Sequence, residues 1–333
     1  MRNQPLVMIT EDQVRDALPL DRSIALSREA MSATAQGTAL DSVLSYLPAP
    51  EGEFHLKASG LTIEGRLYVA VKIGACFYGR PAQLGLPSIV GLIQLFDGST
   101  GQPLAVMESA LITKLRTAAT TAVAADALAR RDARTVTICG VGEQAIAHAM
   151  ALTRVRTLDQ ITLWGRTHTA ATAAAQQLTA LVPEIRVTAE ADLQRAVSSA
   201  DMIVTLTAAR APFLTGDLIR PGTFIAGVGS DAPDKNEIEP AVLAGATVVC
   251  DVIHQCARVG ELHHAIDAGL MNTQDVAAEL GAVLTGAAPG RSTQDQTIIF
   301  DSTGTAVQDT AAAVAVYRAA KDAPDTLSFD LWN

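Results

Sequence analysis

The stretch "TICGVGEQAIAHA", residues 137–149, sets a short apolar run against a glycine-spaced loop and follows it with residues of high helix propensity. Read as strand, turn and helix, it gives each small residue a task. Gly140 makes the tight turn, Gly142 lets backbone come close to a bound anion, and Ala145 lets helix and strand pack closely. Amide groups of Glu143 and Gln144, at the start of the helix, would face that anion. A Gly-x-Gly-x-x-Ala loop also occurs as a mere tight turn, so its surroundings decide between the two.

Those surroundings alternate in a β-α-β rhythm. Strands are expected at "TVTIC", "QITLWG", "IRVT", "MIVTLT", "TFIAGVG" and "ATVVC", with helical stretches such as "TAATAAAQQLTALV" between them. Such alternation implies a parallel sheet covered by helices on both faces, a Rossmann-type doubly wound α/β domain that binds a dinucleotide. The end of the second strand reports which one. An acid there would bond a ribose 2′-hydroxyl, whereas an arginine accommodates a 2′-phosphate. This chain has Gly165, Arg166 and Thr167, which favours NADP(H) and leaves NAD(H) open.

At 333 residues, 49% of them hydrophobic and 18% charged, the chain is long enough for two domains with a core of Ala, Val, Leu and Ile. A net charge of −10 without any basic run argues against a nucleic-acid surface. No segment is apolar for 18 residues and "MRNQPLVMITEDQV" lacks a signal-peptide pattern, so a soluble cytoplasmic protein away from membranes is expected. Cys76, Cys139, Cys250 and Cys256 form no Cys-x-x-Cys pair and read as buried thiols. Cys250, His254, Cys256, His263 and His264 lie close in sequence but match no zinc spacing, and no metal is expected.

The first part of the chain has another rhythm. "TEDQVRDALPLDRSIALSREAMSATAQG" predicts two helices broken at "LPL"; "FHLKASGL", "RLYVAVKIGA" and "SIVGLIQLFDGSTGQPLAVM" predict an antiparallel sheet; a long helix follows from Ser109. The last helix, "TAVQDTAAAVAVYRAA", reads as amphipathic and is expected to pack back on this domain. Lys72 interrupts an apolar strand, where its ammonium is costly unless it snorkels out or is paired. Arg116 is expected in the first turn of the long helix, where the macrodipole disfavours a cation. It is either helix surface or a grip for an anion, and with Lys72 it would suit an α-carboxylate.

Taken in order, "VKIGACFYGRPAQLGLPSIVGLIQLFDGSTGQPLAVMESALITKLRTAATTAVAADALAR", "GVGEQA", "GVGSDAPDKNEIEP" and "DSTGTAVQD" make the chain resemble the ornithine cyclodeaminase / mu-crystallin family. The resemblance implies NAD(P)-dependent chemistry on amino and imino acids and a homodimer joined through the non-Rossmann domain, which draws on both chain ends. We place that substrate-binding and dimerisation domain at residues 1–125 and 304–333 and the Rossmann domain at 126–303. Residue by residue, the resemblance implies that Lys72 binds the carboxylate and takes part in catalysis, that Arg116 lies near substrate and cofactor, and that Asp231 transfers a proton. It places Ser88, Thr117, Gln144, Thr207, Val228, Lys235 and Ser302 on the cofactor and Thr303 on the substrate side.

The chain also departs from the family pattern. Leu44 stands where cyclodeaminases carry an arginine, and Lys57 in "FHLK" either replaces that cation or is a surface lysine. His55 stands where they carry a glutamate for the distal amine, which weakens a diamine substrate. The expected reaction is therefore hydride transfer to the C=N carbon of a small imino acid, or its reverse as an amino-acid dehydrogenase, with the carboxylate on Lys72 and Arg116 and the proton on Asp231 or Lys72. Two alternatives stay open: an ammonia-releasing cyclodeaminase and a binding protein without turnover. Asp231 could also be a simple helix cap.

Overall fold

The alternating segments of the first part form one antiparallel meander in the computed structural model, whose described residues are 4–77 and 79–331. After β1 (Leu6–Ile9), helices α1 (Glu11–Ala17) and α2 (Leu20–Ala35) precede β2 (Val43–Ala49), β3 (Gly52–Ile63) and β4 (Arg66–Cys76). The short α3 (Arg80–Leu84) leads to β5 (Ile89–Asp97), β6 (Pro103–Glu108) and the long α4 (Ala110–Leu128). Thr10 and Gln13 form a reciprocal capping box on α1, and Pro19 separates α1 from α2 because it enters the second helix at its N-cap. The turn between β5 and β6 is closed by Asp97, which accepts from the Ser99 and Thr100 amides at 3.0 and 2.9 Å.

The chain divides into two units, residues 1–117 with 305–333 and residues 118–304. This boundary and the 125/126 boundary read from the sequence both fall within α4.

The second unit holds an eight-stranded sheet in which every pairing is parallel. Its strands are β7 (Thr135–Cys139), β8 (Gln160–Trp164), β9 (Arg186–Glu190), β10 (Met202–Thr205), β11 (Phe224–Gly227), β12 (Thr247–Cys250), β13 (Ala278–Glu279) and β14 (Ile298–Asp301). They lie in the order 13-12-14-11-10-7-8-9, so the direction of winding reverses between β7 and β10. In doubly wound sheets the carboxyl ends beside such a reversal form the ligand crevice. The helices are α5 (Glu143–Val155), α6 (His168–Leu181), α7 (Leu193–Val197), α8 (Pro240–Ala244), α9 (Ile253–Val259), α10 (Glu261–Asp267) and α11 (Leu280–Leu284). Strands β10, β11 and β14 are buried along their whole length, as expected when both sheet faces are covered.

Helix α12 (Ala306–Ala320) and strand β15 (Leu327–Phe329) return to the first unit, whose seven strands lie in the order 15-1-6-5-4-3-2. The expectation of an amphipathic last helix is corrected: α12 is buried on nearly all sides, from Ala306 to Tyr317, because it packs between α2, α1 and the inner sheet face. Ile93, Leu95, Leu104 and Met107 from the strands meet Ala313, Val314 and Val316 there. Burying each large aliphatic side chain contributes roughly 1.5–3 kcal/mol. Among the described residues no helix is long and apolar enough to cross a membrane.

Candidate active site

In the second unit the glycine loop lies at the end of β7 as the sequence requires. Gly140 has φ +119°, and a Cβ there would stand 2.9 Å from the Leu206 carbonyl oxygen, so only glycine fits. Gly142 is the N-cap of α5, and a Cβ on it would meet nothing within 4 Å. Its outward space belongs to a cavity of about 630 Å³, lined by Gly140, Gly142, Arg166 and Thr207 among others, with no acidic side chain in the lining among the described residues. Trp164 and Phe213 stack at one wall, ring centroids 5.1 Å apart. Arg166 is exposed at the rim, and Thr167 caps α6 by accepting from the Ala170 amide. The Oε1 of Gln144 is buried without a hydrogen-bond partner, an acceptor left over beside the loop. Open space, a helix N-terminus and an unsatisfied polar atom together fit a dinucleotide.

The floor of this unit is fastened by carboxyls that the sequence did not disclose. Glu237, fully buried, accepts from the Thr207 amide and hydroxyl at 2.6 and 2.7 Å and from the Gly229 amide at 2.8 Å. Burial pushes its pKa up against the pull of those hydrogen bonds. Glu261 in turn accepts from Asn236 Nδ2 and the amides of Glu237 and Ile238. Beyond β11, Val228 donates its amide to Thr205, and Lys235 Nζ donates to Asp231 Oδ1 at 2.6 Å. The Lys235 carbonyl accepts from Ser230 Oγ and from His264 Nε2, so the segment 230–235 is held at several points. No helix starts at Asp231, since α8 begins at Pro240 with Glu239 as its N-cap, and the reading of Asp231 as a helix cap is set aside.

At the end of β14, Asp251 holds the loop of Ser302 and Thr303. It accepts from Ser302 Oγ, from the Thr303 amide and hydroxyl and from the Gly304 amide, at 2.7–3.3 Å. Of the five metal-like residues, His254 is exposed, His263 and His264 meet edge to face, and burial holds the Cys256 thiol protonated as a donor to Asp251.

In the first unit the sheet brings Lys57 and Lys72 into one cross-strand row. Lys57 lies directly opposite Lys72 on one side and opposite Leu44 on the other, and Lys72 is opposite Ile93. Both lysines are buried, at 5% and 4% exposure, which rules out the surface reading of Lys57 and the snorkelling reading of Lys72. Lys72 Nζ stands 2.7 Å from Asp309 Oδ2 and 3.2 Å from Thr113 Oγ1. Arg116 Nε is 3.3 Å from Asp309 Oδ1, and its Nη1 donates to Gln308 Oε1. Arg116 occupies the second turn of α4, so the first-turn placement is corrected. Its charge is met by Asp309 on α12 and not by a helix terminus. Burial lowers Lys72 to about 7; the charge of Asp309 resists, while Arg116 and Lys57 add to the lowering. Burial opposes ionisation of Asp309 as well, but Lys72 and Arg116 hold it below the usual carboxylate value.

Along the same face of β3, His55 Nε2 lies 2.9 Å from Glu53 Oε1, with Tyr46 edge-on to the imidazole at 4.8 Å. Two further expected cofactor residues, Thr117 and Ser88, belong to the first unit. Thr117 gives its hydroxyl to the Thr113 carbonyl, and Ser88 is half-buried ahead of β5 with its carbonyl accepting from Phe77. The omissions had faint signals. Asp309 is an acid inside an otherwise apolar helix, and Asp251 follows a buried strand directly.

The chain matches the ornithine cyclodeaminase/mu-crystallin family over residues 5–323. It is 37% identical over 319 residues to an uncharacterized cyclodeaminase of Sinorhizobium fredii, covering 95% of this chain and 96% of that one. It is 36% identical over 228 residues to the iminosuccinate reductase of Paracoccus denitrificans, covering 68% and 69%. Among solved structures, an archaeal alanine dehydrogenase dimer with bound NAD superposes with a TM-score of 0.91 at 30% identity, covering 98% of this chain and 100% of that one. Fold, glycine loop and sequence agree, and the chain belongs to the ornithine cyclodeaminase/mu-crystallin family.

Proposed function

We propose that this member, an NAD(P)-dependent enzyme of C=N or CH–NH bonds, is an NADP(H)-dependent reductase of a small imino acid, running in reverse as an amino-acid dehydrogenase. The observation that carries the reading is the buried cluster of Lys72, Arg116 and Lys57 beside Asp309, a concentration of cationic side chains suited to an anionic substrate. The relatives that reduce imines, oxidise alanine or release ammonia are consistent with that class.

Lys72 and Arg116 hold the substrate carboxylate, the guanidinium supplying directed hydrogen bonds and the lysine a mobile proton. A carboxylate beside Lys72 favours its ammonium form, so a group near neutrality in the free protein takes up a proton on binding. Asp231, kept in place by Lys235, manages the proton at the substrate nitrogen, and Thr303 orders the substrate side. The dinucleotide supplies the hydride when bound. Gly140, Gly142, Glu143 and Gln144 would hold its pyrophosphate, with Thr207, Val228, Lys235, Ser302, Ser88, Arg116 and Thr117 as further contacts. Arg166 and Thr167 would receive a 2′-phosphate. An acid at 165 is disfavoured, since a Cβ there would stand 3.0 Å from Val141 Cγ2.

A second copy of this chain is the proposed partner. It would cover the outer sheet face of the first unit, where Val43, Leu47, Ile73 and Leu92 are 43–63% exposed. Light scattering coupled to gel filtration reports that state directly.

Absorbance at 340 nm with NADPH, keto acids plus ammonium, cyclic ketimines and ornithine tests the chemistry. Net oxidation of NADPH is expected, and Lys72→Ala and Asp231→Asn each lower turnover more than a hundredfold while NADPH still binds. Ammonia released from ornithine without net oxidation overturns the reading in favour of a cyclodeaminase. A preference of more than tenfold for NADH overturns the cofactor assignment.

A further inference from the structure

We infer that Asp251 and Gln255 act through Thr303 to make the site select a C=N group over a C=O group, an inference that rests on the imino-acid reading above. Asp251 follows β12 and Thr303 lies just beyond β14, neighbouring strands whose ends are in register at Cys250 and Asp301. Asp251 is 1% exposed. Its Oδ1 accepts from the Val252 amide at 2.7 Å, the Thr303 hydroxyl at 3.1 Å and the Cys256 thiol at 3.3 Å. Its Oδ2 accepts from the Gly304 and Thr303 amides at 2.7 and 2.8 Å and from the Ser302 hydroxyl at 3.3 Å. Gln255 on α9 fixes the direction of the Thr303 bond. Its Nε2 lies 3.2 Å from the Gly304 carbonyl oxygen, which can only accept, and 2.8 Å from Thr303 Oγ1. Thr303 therefore receives a proton from Gln255 and spends its own on Asp251.

A hydroxyl whose proton is committed in this way has none to give a ligand and acts toward it as an acceptor. An iminium carries N–H donors and suits such an oxygen. Hydride addition to its carbon moves the C=N electron pair onto nitrogen and yields a neutral amine without a further proton. A ketone presents an acceptor instead, which the Thr303 oxygen repels, and hydride addition leaves an alkoxide that has to collect a proton. Keto acid and ammonium are in equilibrium with the iminium, so both groups reach the same site. A site built to hydrogen-bond one of two similar groups rejects the other, because a buried polar atom is then left opposed or unmatched. Asp231, the proton carrier of the reading above, serves either product, which leaves the choice to Thr303. Asp251 and Gln255 are positioning residues, since both act by setting the polarity of that hydroxyl.

The test supplies pyruvate, 2-oxobutyrate or 2-oxoglutarate with ammonium and NADPH and measures amino acid and hydroxy acid by chromatography, in wild type, Thr303→Ser, Thr303→Val, Gln255→Leu and Asp251→Asn. In parallel, the Tm of each protein is measured with NADP+ and the three keto acids or the corresponding amino acids. Wild type and Thr303→Ser should form amino acid in at least a hundredfold excess. Thr303→Val should lower that ratio at least tenfold, and Gln255→Leu, which lets the hydroxyl rotate, at least threefold. Asp251→Asn should also raise hydroxy acid formation above wild type: the amides of Thr303 and Gly304 keep an oxygen, and the new NH2 group faces Thr303 and releases its proton. Should Asp251→Asn not fold, Thr303→Val carries the test, since it leaves the carboxylate and its backbone partners in place. A wild type that favours hydroxy acid, or both products falling in parallel in Thr303→Val, overturns the inference and leaves the reductase reading standing. A wild type that forms neither product sinks the reductase reading, and the Tm then decides. An amino-acid shift lost in Thr303→Val with the keto-acid shift kept supports selection by Thr303; shifts that change together, or no shifts at all, overturn it.

Discussion

Replacing Lys72 by methionine should change how the stability of the ligand-free chain responds to pH. In the folded protein burial holds the Lys72 ammonium at about 7, against 10.5 for an ordinary lysine. Below pH 7 the group is protonated in both states and the folded state carries the full cost of a buried charge. Between about 7 and 10.5 the unfolded chain binds a proton that the folded chain does not, so stability rises with pH, by up to about 1.4 kcal/mol per pH unit. From pH 7.5 to 9.5 the expected gain is about 2–3 kcal/mol, and Lys72→Met lacks it. Asp309, held below the usual carboxylate value by Lys72 and Arg116, keeps its charge throughout this window. Urea denaturation of both proteins at four or five pH values gives the two curves, and their difference removes slopes common to both. A difference that stays flat or falls as the pH rises from 7.5 to 9.5 would refute the argument, because Lys72 would then be behaving as an exposed lysine.

Two further predictions separate fold from cofactor binding in the second unit. Gly142→Val should leave stability within about 1 kcal/mol, since a Cβ there meets nothing, yet lower NADPH affinity at least tenfold by fluorescence titration; undiminished binding would place the dinucleotide elsewhere. Gly140→Ala should by contrast cost about 1–3 kcal/mol of stability through its positive φ and the Leu206 carbonyl. Glu237→Ala strands the amides of Thr207 and Gly229, for a loss of about 2–5 kcal/mol by denaturation, whereas Glu237→Gln, which keeps an acceptor, should lose less; equal losses would mean that the carboxyl fastens nothing.

What the sequence discloses about this fold is what is written locally. The loop at 140–145 carries its turn, its close approach and its helix start within six residues, and the strands β7 to β12 follow from apolar runs between helical stretches. Lys72 is legible for a related reason, as a charge inside an apolar strand is conspicuous in itself. Its partner is not. Asp309 stands in another helix near the far end of the chain, and nothing within its own segment says which cations it will meet. The same limit explains α12, where period-3.6 reading finds an apolar face but cannot see that α2 and α1 cover the other side. Strands β1, β13, β14 and β15 are two to four residues long and are defined by pairing with remote neighbours, so no run of alternation announces them. Glu237 and Asp251 are hidden in a different way: many of their partners are backbone amides, which carry no residue identity.

The cation cluster makes the first unit a compromise between stability and binding. Removing an ion from water costs several kcal/mol even after relaxation, and Lys57, Lys72 and Arg116 are all buried close to Asp309. Apolar residues at these positions would pack against α12 without that cost. The lowered proton affinity of Lys72 is the partial escape open to a folded chain without ligand: the group sheds its charge near neutral pH when no anion is present. An anion that enters restores the charge and removes the repulsion in one event, so the energy stored against the fold becomes affinity for the ligand. The acid on α12 therefore has a double effect. It pairs with Lys72 and Arg116 in the free chain, and in the proposed reaction the substrate carboxylate would take its place beside the same two cations.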